Sequence, residues 1–130
     1  MNYAVRYYSR SGNTKGIADA FAKELGVEAI SVDQRGAEIC EETDVLFVGG
    51  ALYAYGIDEH LQSFLEGLSG ESVKKAVVFS TSWISKHAIE LIKECLTNHG
   101  IEVEDESFYS RGKPGVKDLA KAAEFVKPYQ

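Results

Sequence analysis

The sequence predicts an α/β fold: a doubly wound, five-stranded parallel sheet covered by helices on both faces, in the strand order 2-1-3-4-5. Three observations predict it. Apolar runs of strand length alternate with longer segments whose apolar residues recur every three or four positions, the pattern of strands joined by crossover helices. The runs at Val45 and Ala76 are apolar on both faces, as central strands are. The runs at Val27 and Ile101 carry charge, which suits edges, where it discourages pairing with another chain. Putting the second and fifth strands at the edges yields an order already known among doubly wound sheets.

The elements follow in order. Tyr3-Ala4-Val5-Arg6-Tyr7 reads as the first strand, and Tyr8 to Thr14 as a polar loop. Arg6 is discordant in a strand flanked on both sides, so it is expected near an end of the sheet or paired with an acid. Ile17, Ala18, Phe21, Ala22 and Leu25 keep helical spacing, and Gly26 stops that helix. Val27 to Val32 reads as the second strand. The polar piece Asp33 to Glu42 has room for at most one helical turn, around Ala37 to Cys40. Val45 to Val48 is a buried strand ending in Gly49-Gly50, followed by an aromatic, glycine-rich loop from Ala51 to Ile57. Leu61, Phe64, Leu65 and Leu68 mark a helix closed by Gly70. Ala76 to Phe79 is the fourth strand, running into Ser80-Thr81-Ser82-Trp83. Ala88, Leu91, Ile92, Cys95 and Leu96 mark a helix stopped by Gly100, and Ile101 to Tyr109 is the fifth strand, alternating in its first half. The last helix presents Val116, Leu119, Ala120, Ala123 and Val126 as its inner face.

Composition narrows the function classes. The 130 residues fit one domain with a real core, and 45% apolar with 26% charged residues is globular, not disordered. No apolar run reaches the length of a bilayer span, and Met1-Asn2-Tyr3 leads into a strand without a basic region or cleavage site, so a cytoplasmic setting is the default expectation. Cys40 and Cys95 form no metal-ligand or redox spacing and read as free thiols. A net charge of −6 argues against a nucleic-acid partner and is compatible with a protein partner that has a basic surface.

In such sheets ligands bind beyond the C-terminal strand ends where the strand order reverses, here between the first and third strands. The loops that meet there are Ser9 to Thr14, Gly49 to Asp58 and Ser80 to Ser85. The first holds hydroxyls, a carboxamide, a glycine and a guanidinium, and no acid, at the start of a helix whose free N–H groups attract an anion. The same residues also compose an ordinary turn or helix cap. The second loop carries Leu52, Tyr53 and Tyr55 between small residues, and the third carries the only tryptophan, Trp83. An anion cradle beside two loops with flat apolar side chains describes a site for a phosphorylated planar ring. Tyr53 and Tyr55 would either stack on such a ring or cover the end of the sheet. His60, His87 and His99 read as surface residues, and Asp58-Glu59-His60 does not read as a metal site, since adjacent helical residues point apart.

Val5-Arg6-Tyr7-Tyr8-Ser9-Arg10-Ser11-Gly12-Asn13-Thr14, followed by Ala18 and Phe21, resembles the flavodoxin signature. Arg6 and Phe21 stand where that family prefers apolar and aliphatic residues. The resemblance runs through Gly49-Gly50-Ala51-Leu52-Tyr53, Phe79-Ser80-Thr81-Ser82 and Phe108-Tyr109-Ser110-Arg111-Gly112, and no insertion splits the fifth strand, as in short-chain flavodoxins. The resemblance implies a flavodoxin-like fold and bound flavin mononucleotide (FMN). Carried onto matching positions, it implies that Ser9, Ser11, Asn13 and Thr14 hold the phosphate with backbone help from Arg10 and Gly12. Ala51, Leu52, Tyr53, Ala54, Tyr55 and Gly56, with Thr81, Ser82, Trp83 and Ile84, would then flank the isoalloxazine. The third loop lacks the glycine-rich, acid-bearing pattern common in electron carriers. Arg10 is either a cation beside the phosphate or a solvated loop residue.

The function implied is electron transfer to redox partner proteins, with no catalytic acid or base from the chain itself. The alternative is a small FMN-dependent oxidoreductase, resembling quinone reductases or protoporphyrinogen oxidases, with Trp83 and Tyr55 walling a substrate space and His87 donating a proton. Three other classes fail on the residues. A receiver needs acids where Tyr7-Tyr8-Ser9 stand. A Cys-x5-Arg phosphatase needs its nucleophile where Ser9 stands. Gly12-Asn13-Thr14-Lys15 lacks Walker A spacing.

Overall fold

The computed structural model describes residues 1–54, 56–83 and 85–130. Five strands, β1 (Tyr3–Tyr8), β2 (Ala29–Ser31), β3 (Thr43–Gly50), β4 (Val73–Thr81) and β5 (Glu102–Ser110), form one sheet in the order β2-β1-β3-β4-β5. All neighbours pair parallel. Three helices connect strands, α1 (Asn13–Leu25), α2 (Glu59–Glu66) and α3 (His87–Asn98), and α4 (Val116–Val126) follows β5, with a final 3-10 turn at Lys127–Tyr129. The expected fold class and strand order are both present.

Alternation along each strand feeds two cores. Val5, Phe47, Val77, Phe79 and Phe108 face α1 and α4, and Ala4, Leu46, Val48, Ala76 and Val78 face α2 and α3. Phe21, an aromatic where an aliphatic was expected, is fully buried at the centre of the first core. Its ring lies 4.9 Å from Phe79 and 5.5 Å from Phe108, both edge-on, the arrangement that aromatic quadrupoles favour.

Several elements differ from expectation, each for a visible reason. β2 is only three residues long, an edge strand paired to β1 alone. Residues 33–42 hold turns and no helix, within the expected limit of one helical turn, and Ala37 folds inward. Its carbonyl accepts the Arg6 Nε–H at 2.6 Å, and the Val5 carbonyl accepts from Arg6 Nη1 at 3.1 Å. Arg6 therefore sits mid-strand, opposite Ile30 and Val48, satisfied by backbone and not by an acid. α2 ends at Glu66 with Gly67, ahead of Gly70. Gly70 is needed for another reason: a Cβ there would overlap the Gly100 carbonyl. β5 slips register between Val103 and Ser107, so the expected alternation breaks at a bulge. α4 is turned part of the way from its expected face, of which Val126 is buried as expected and Ala123 half-buried. Ala122 and Val126 are buried while Val116 is 86% exposed and Leu119 and Ala120 face solvent. The turn lets Phe125 and Tyr129 reach Phe21 and Phe47, and burying those larger rings outweighs burying a leucine and alanines.

Cys40 and Cys95 are both free, as expected. Among the described residues no group of three or more His, Cys, Asp or Glu side chains is placed to hold a metal ion, and no helix is long and apolar enough to cross a membrane.

Candidate functional site

The crossover through α1 packs on one face of the sheet and those through α2 and α3 pack on the other, so the order reverses between β1 and β3. Three loops gather at the C-terminal ends of β1, β3 and β4. Gly49 and Gly50 let the strands close up beneath them. A Cβ on Gly49 would overlap the Phe79 carbonyl, and one on Gly50 would come within 2.6 Å of Leu61 Cδ2. The buried Ser80 hydroxyl donates to the Gly50 carbonyl at 2.6 Å, which locks β3 to β4 at this end.

The β1–α1 loop turns on Gly12, whose φ of +90° only glycine adopts easily. Gly12 is the N-cap of α1, no side chain caps it, and the first turn contains no acid. The N–H groups of that turn lack intrahelical partners and carry partial positive charge. Ser9 Oγ accepts the Gly12 N–H at 2.9 Å and so shapes the loop, leaving its own proton to give. Ser11 Oγ lies 3.4 Å from the Asn13 N. Thr14 is 1% exposed, and its hydroxyl shares a 2.7 Å bond with Thr81 Oγ1 at the end of β4. Lys15 pairs with Asp19 one turn along the helix at 2.7 Å, a bond that raises the pKa of its ammonium. The result is a cradle of neutral donors with the positive end of a helix beneath it. That donor set suits a doubly charged phosphate ester.

The second loop closes with reciprocal backbone bonds, Tyr53 N–H to the Gly56 carbonyl at 2.7 Å and Gly56 N–H to the Tyr53 carbonyl at 3.0 Å. Arg10 leaves the first loop and crosses to it. Its Cζ lies 3.9 Å from the centroid of the Tyr53 ring, and its Nη2 lies 2.6 Å from Asp58 Oδ2. Asp58 is the N-cap of α2. Its Oδ1 accepts the His60 backbone N–H at 2.7 Å and contacts His60 Nδ1 at 2.9 Å. The His60 ring in turn stacks on Tyr8, 5.0 Å between centroids. The Asp58 side chain is 4% exposed. Burial acts to raise its pKa, but the bonds from His60 and the charge of Arg10 outweigh it and hold the carboxyl below its usual range. Burial likewise pushes the Tyr53 phenol upward.

The third loop starts from buried Thr81 and Ser82. Tyr109 Oη donates to the Ser82 carbonyl at 2.5 Å, and the Ser82 N–H donates to the Ser110 carbonyl at 3.3 Å. Trp83 is 66% exposed, and its ring covers Gly112, where a Cβ would overlap the indole.

The structure thus joins the first loop to the third through Thr14 and Thr81, and to the second through Arg10 and Tyr53. Trp83 packs on the turn between β5 and α4. Ala51 and Leu52 are half-buried at the end of β3. Tyr55 and Ile84 lie outside the described residues. Sequence reasoning placed Asp58 at the end of the second loop but gave neither it nor Gly112 a contact with the other loops. Asp58 does carry a local signal, an acid directly before a helical period. Its pairing with a residue 48 positions away carries none.

Comparisons with known proteins agree with this geometry. The family model of the flavodoxin domain matches residues 4–107. An uncharacterised protein of Methanocaldococcus jannaschii is 26% identical, over 88% of each chain. Among solved structures, a flavodoxin from the domain Archaea is 26% identical with a TM-score of 0.76, covering 95% of this chain and 92% of its own. Flavodoxin 1 of Bacillus cereus is 24% identical with a TM-score of 0.75, over 95% and 94%. The rubredoxin:oxygen oxidoreductase of Desulfovibrio gigas shares the fold at 16% identity and a TM-score of 0.82, with 97% of this chain matching 34% of that one. With most of its length matched by that family model and the β1–α1 cradle in place, the chain belongs to the flavodoxin family.

Proposed function

We propose that this protein binds FMN at the three loops and transfers electrons between redox partner proteins. The observation that carries the reading is the uncapped, acid-free first turn of α1 behind left-handed Gly12, ringed by hydroxyls. Ser9, Ser11, Asn13 and Thr14 would hold the phosphate. The Gly12 N–H already serves Ser9, so the backbone donors would come mainly from the first turn of α1. Ala51 to Gly56 and Thr81 to Ile84 would flank the ring, with Tyr53, Tyr55 and Trp83 as its aromatic neighbours. FMN supplies a ring that accepts and returns electrons. The chain binds the ester, orients the ring and sets the field around it. His87, the proton donor an oxidoreductase would use, pairs with Glu90 at 3.1 Å on an exposed helix start. Partners with basic surfaces would complement the charge of −6. The proposed setting is the cytoplasm, where free Cys40 and Cys95 stay reduced.

The test is titration of the apo chain with FMN and with riboflavin, followed by quenching of flavin fluorescence. Charge-assisted hydrogen bonds contribute about 1.5–3 kcal/mol each, so FMN should bind at least about tenfold more tightly per bond gained. Equal affinity for the two ligands would contradict the phosphate assignment.

A further inference from the structure

We infer that Arg10 is a ring-side residue and not a phosphate ligand. Held by Asp58 against Tyr53, it raises the reduction potential of the bound flavin, and Asp58 is the positioning residue that keeps it there. This rests on the FMN reading above and adds to it the control of that same site.

Arg10 belongs by sequence to the phosphate cradle, between Ser9 and Ser11, and a cation there would be expected to turn toward the ester. It does not. Its guanidinium makes a 2.6 Å ion pair with a carboxylate whose side chain is 4% exposed. The second oxygen of that carboxylate is engaged by His60, backbone and ring together. Removing Arg10 would leave Asp58 buried with one charge uncompensated, which is costly, so the pair holds. The guanidinium plane is also fixed over Tyr53 at 3.9 Å, where cation and ring attract. The cradle is therefore left to neutral donors, and the fixed positive charge sits on the loop proposed to flank the isoalloxazine.

Reduction of flavin by two electrons from an external reductant, with one proton from water, adds one negative charge to the ring. A cation held near the ring favours that charge. Losing Arg10 and releasing it from Asp58 should then both lower the potential, and only release should bring a cation to the cradle. A purely structural clamp would leave the preference for FMN over riboflavin unchanged in both variants.

The experiment uses FMN-loaded wild type, Arg10→Met and Asp58→Asn. Asn caps a helix as well as Asp does, so α2 keeps its start. Midpoint potentials are measured by equilibration with reference dyes and dithionite, and FMN and riboflavin affinities by fluorescence. Arg10→Met should lower the potential by at least a tenfold change in the reduction equilibrium, about 30 mV for two electrons. Its preference for FMN over riboflavin should stay within about threefold of wild type. Asp58→Asn should also lower the potential, though by less because a negative charge is lost with it, and by releasing Arg10 toward the cradle it should strengthen the FMN preference. A potential that does not fall in Arg10→Met, or an Asp58→Asn variant whose potential rises or whose FMN preference does not grow, overturns the inference, as does collapse of the FMN preference in Arg10→Met. If the wild type binds no flavin, the reading of the site fails first and this inference falls with it.

Discussion

The Thr14–Thr81 pair shows how one hydroxyl serves both fold and site. Both threonines are buried, and each gives the other its partner. Thr14→Val should weaken FMN binding by about 1–3 kcal/mol, measured by fluorescence titration. It should also cost the apo protein about 1 kcal/mol in urea unfolding, because Thr81 Oγ1 loses its bond. In Thr14→Val/Thr81→Val the stability loss should shrink, since no buried hydroxyl is then left unpaired. Asp58 has a different signature. Its folded pKa is depressed, so its contribution is present above its unfolded value of about 4 and is lost as pH falls through the folded value. Asp58→Asn should therefore melt below the wild type at pH 7, and the gap should close as pH drops below about 4. A gap that stays constant with pH would mean that Asp58 is not ionised through a protected carboxylate. The donor set of Ser9, Arg10, Ser11, Gly12, Asn13 and Thr14 was legible in the sequence because its chemistry is local, one loop before one helix. Where Arg10 points was not, because Asp58 and Tyr53 come from another loop.

Among the elements, α4 separates what periodicity can and cannot read. Its sequence carries two apolar stripes, Val116-Leu119-Ala120-Ala123 and Ala122-Phe125 running on to Tyr129, with Val126 common to both. Counting apolar positions favours the first. The structure buries the second, because a helix turns whichever face fills the space its neighbours leave. That space is bounded by Phe21, Phe47 and Phe108, which lie far away in sequence. Phe125→Ala should accordingly destabilise the protein by about 2 kcal/mol or more in urea unfolding, while Leu119→Ser should stay within about 0.5 kcal/mol. The reverse ranking would return α4 to the face its first stripe suggests. β5 carries the same lesson. Its alternating charges are legible, but its bulge depends on register against β4 and is not.

At the scale of the whole molecule, the strand order was legible because a few charges on two apolar runs mark the edges, and right-handed crossovers leave few other arrangements. The same charges bear on function. Acids crowd the end of the sheet opposite the three loops, at Glu41, Glu42, Asp44 and Glu71, and the β5 edge, at Glu102, Glu104 and Glu106. The summed charge of −6 resists the placing of another negative charge on the flavin. That field acts over tens of ångströms and is open to salt, since the Debye length falls from about 30 Å at 0.01 M to about 3 Å at 1 M. The midpoint potential of the FMN-loaded protein should thus rise as salt is added across that range. Arg10, its side chain 46% exposed, acts at shorter range, in contact with Tyr53 and a nearly buried carboxylate, so salt screens its contribution less than that of the distant acids. The potential difference between wild type and Arg10→Met should then survive at 1 M salt even as both values climb. If the difference vanished with salt, Arg10 would be one more surface charge in the general field. If the potential ignored salt altogether, the acidic surface would lie too far from the ring to matter, and the flavin would answer only to the side chains that touch it.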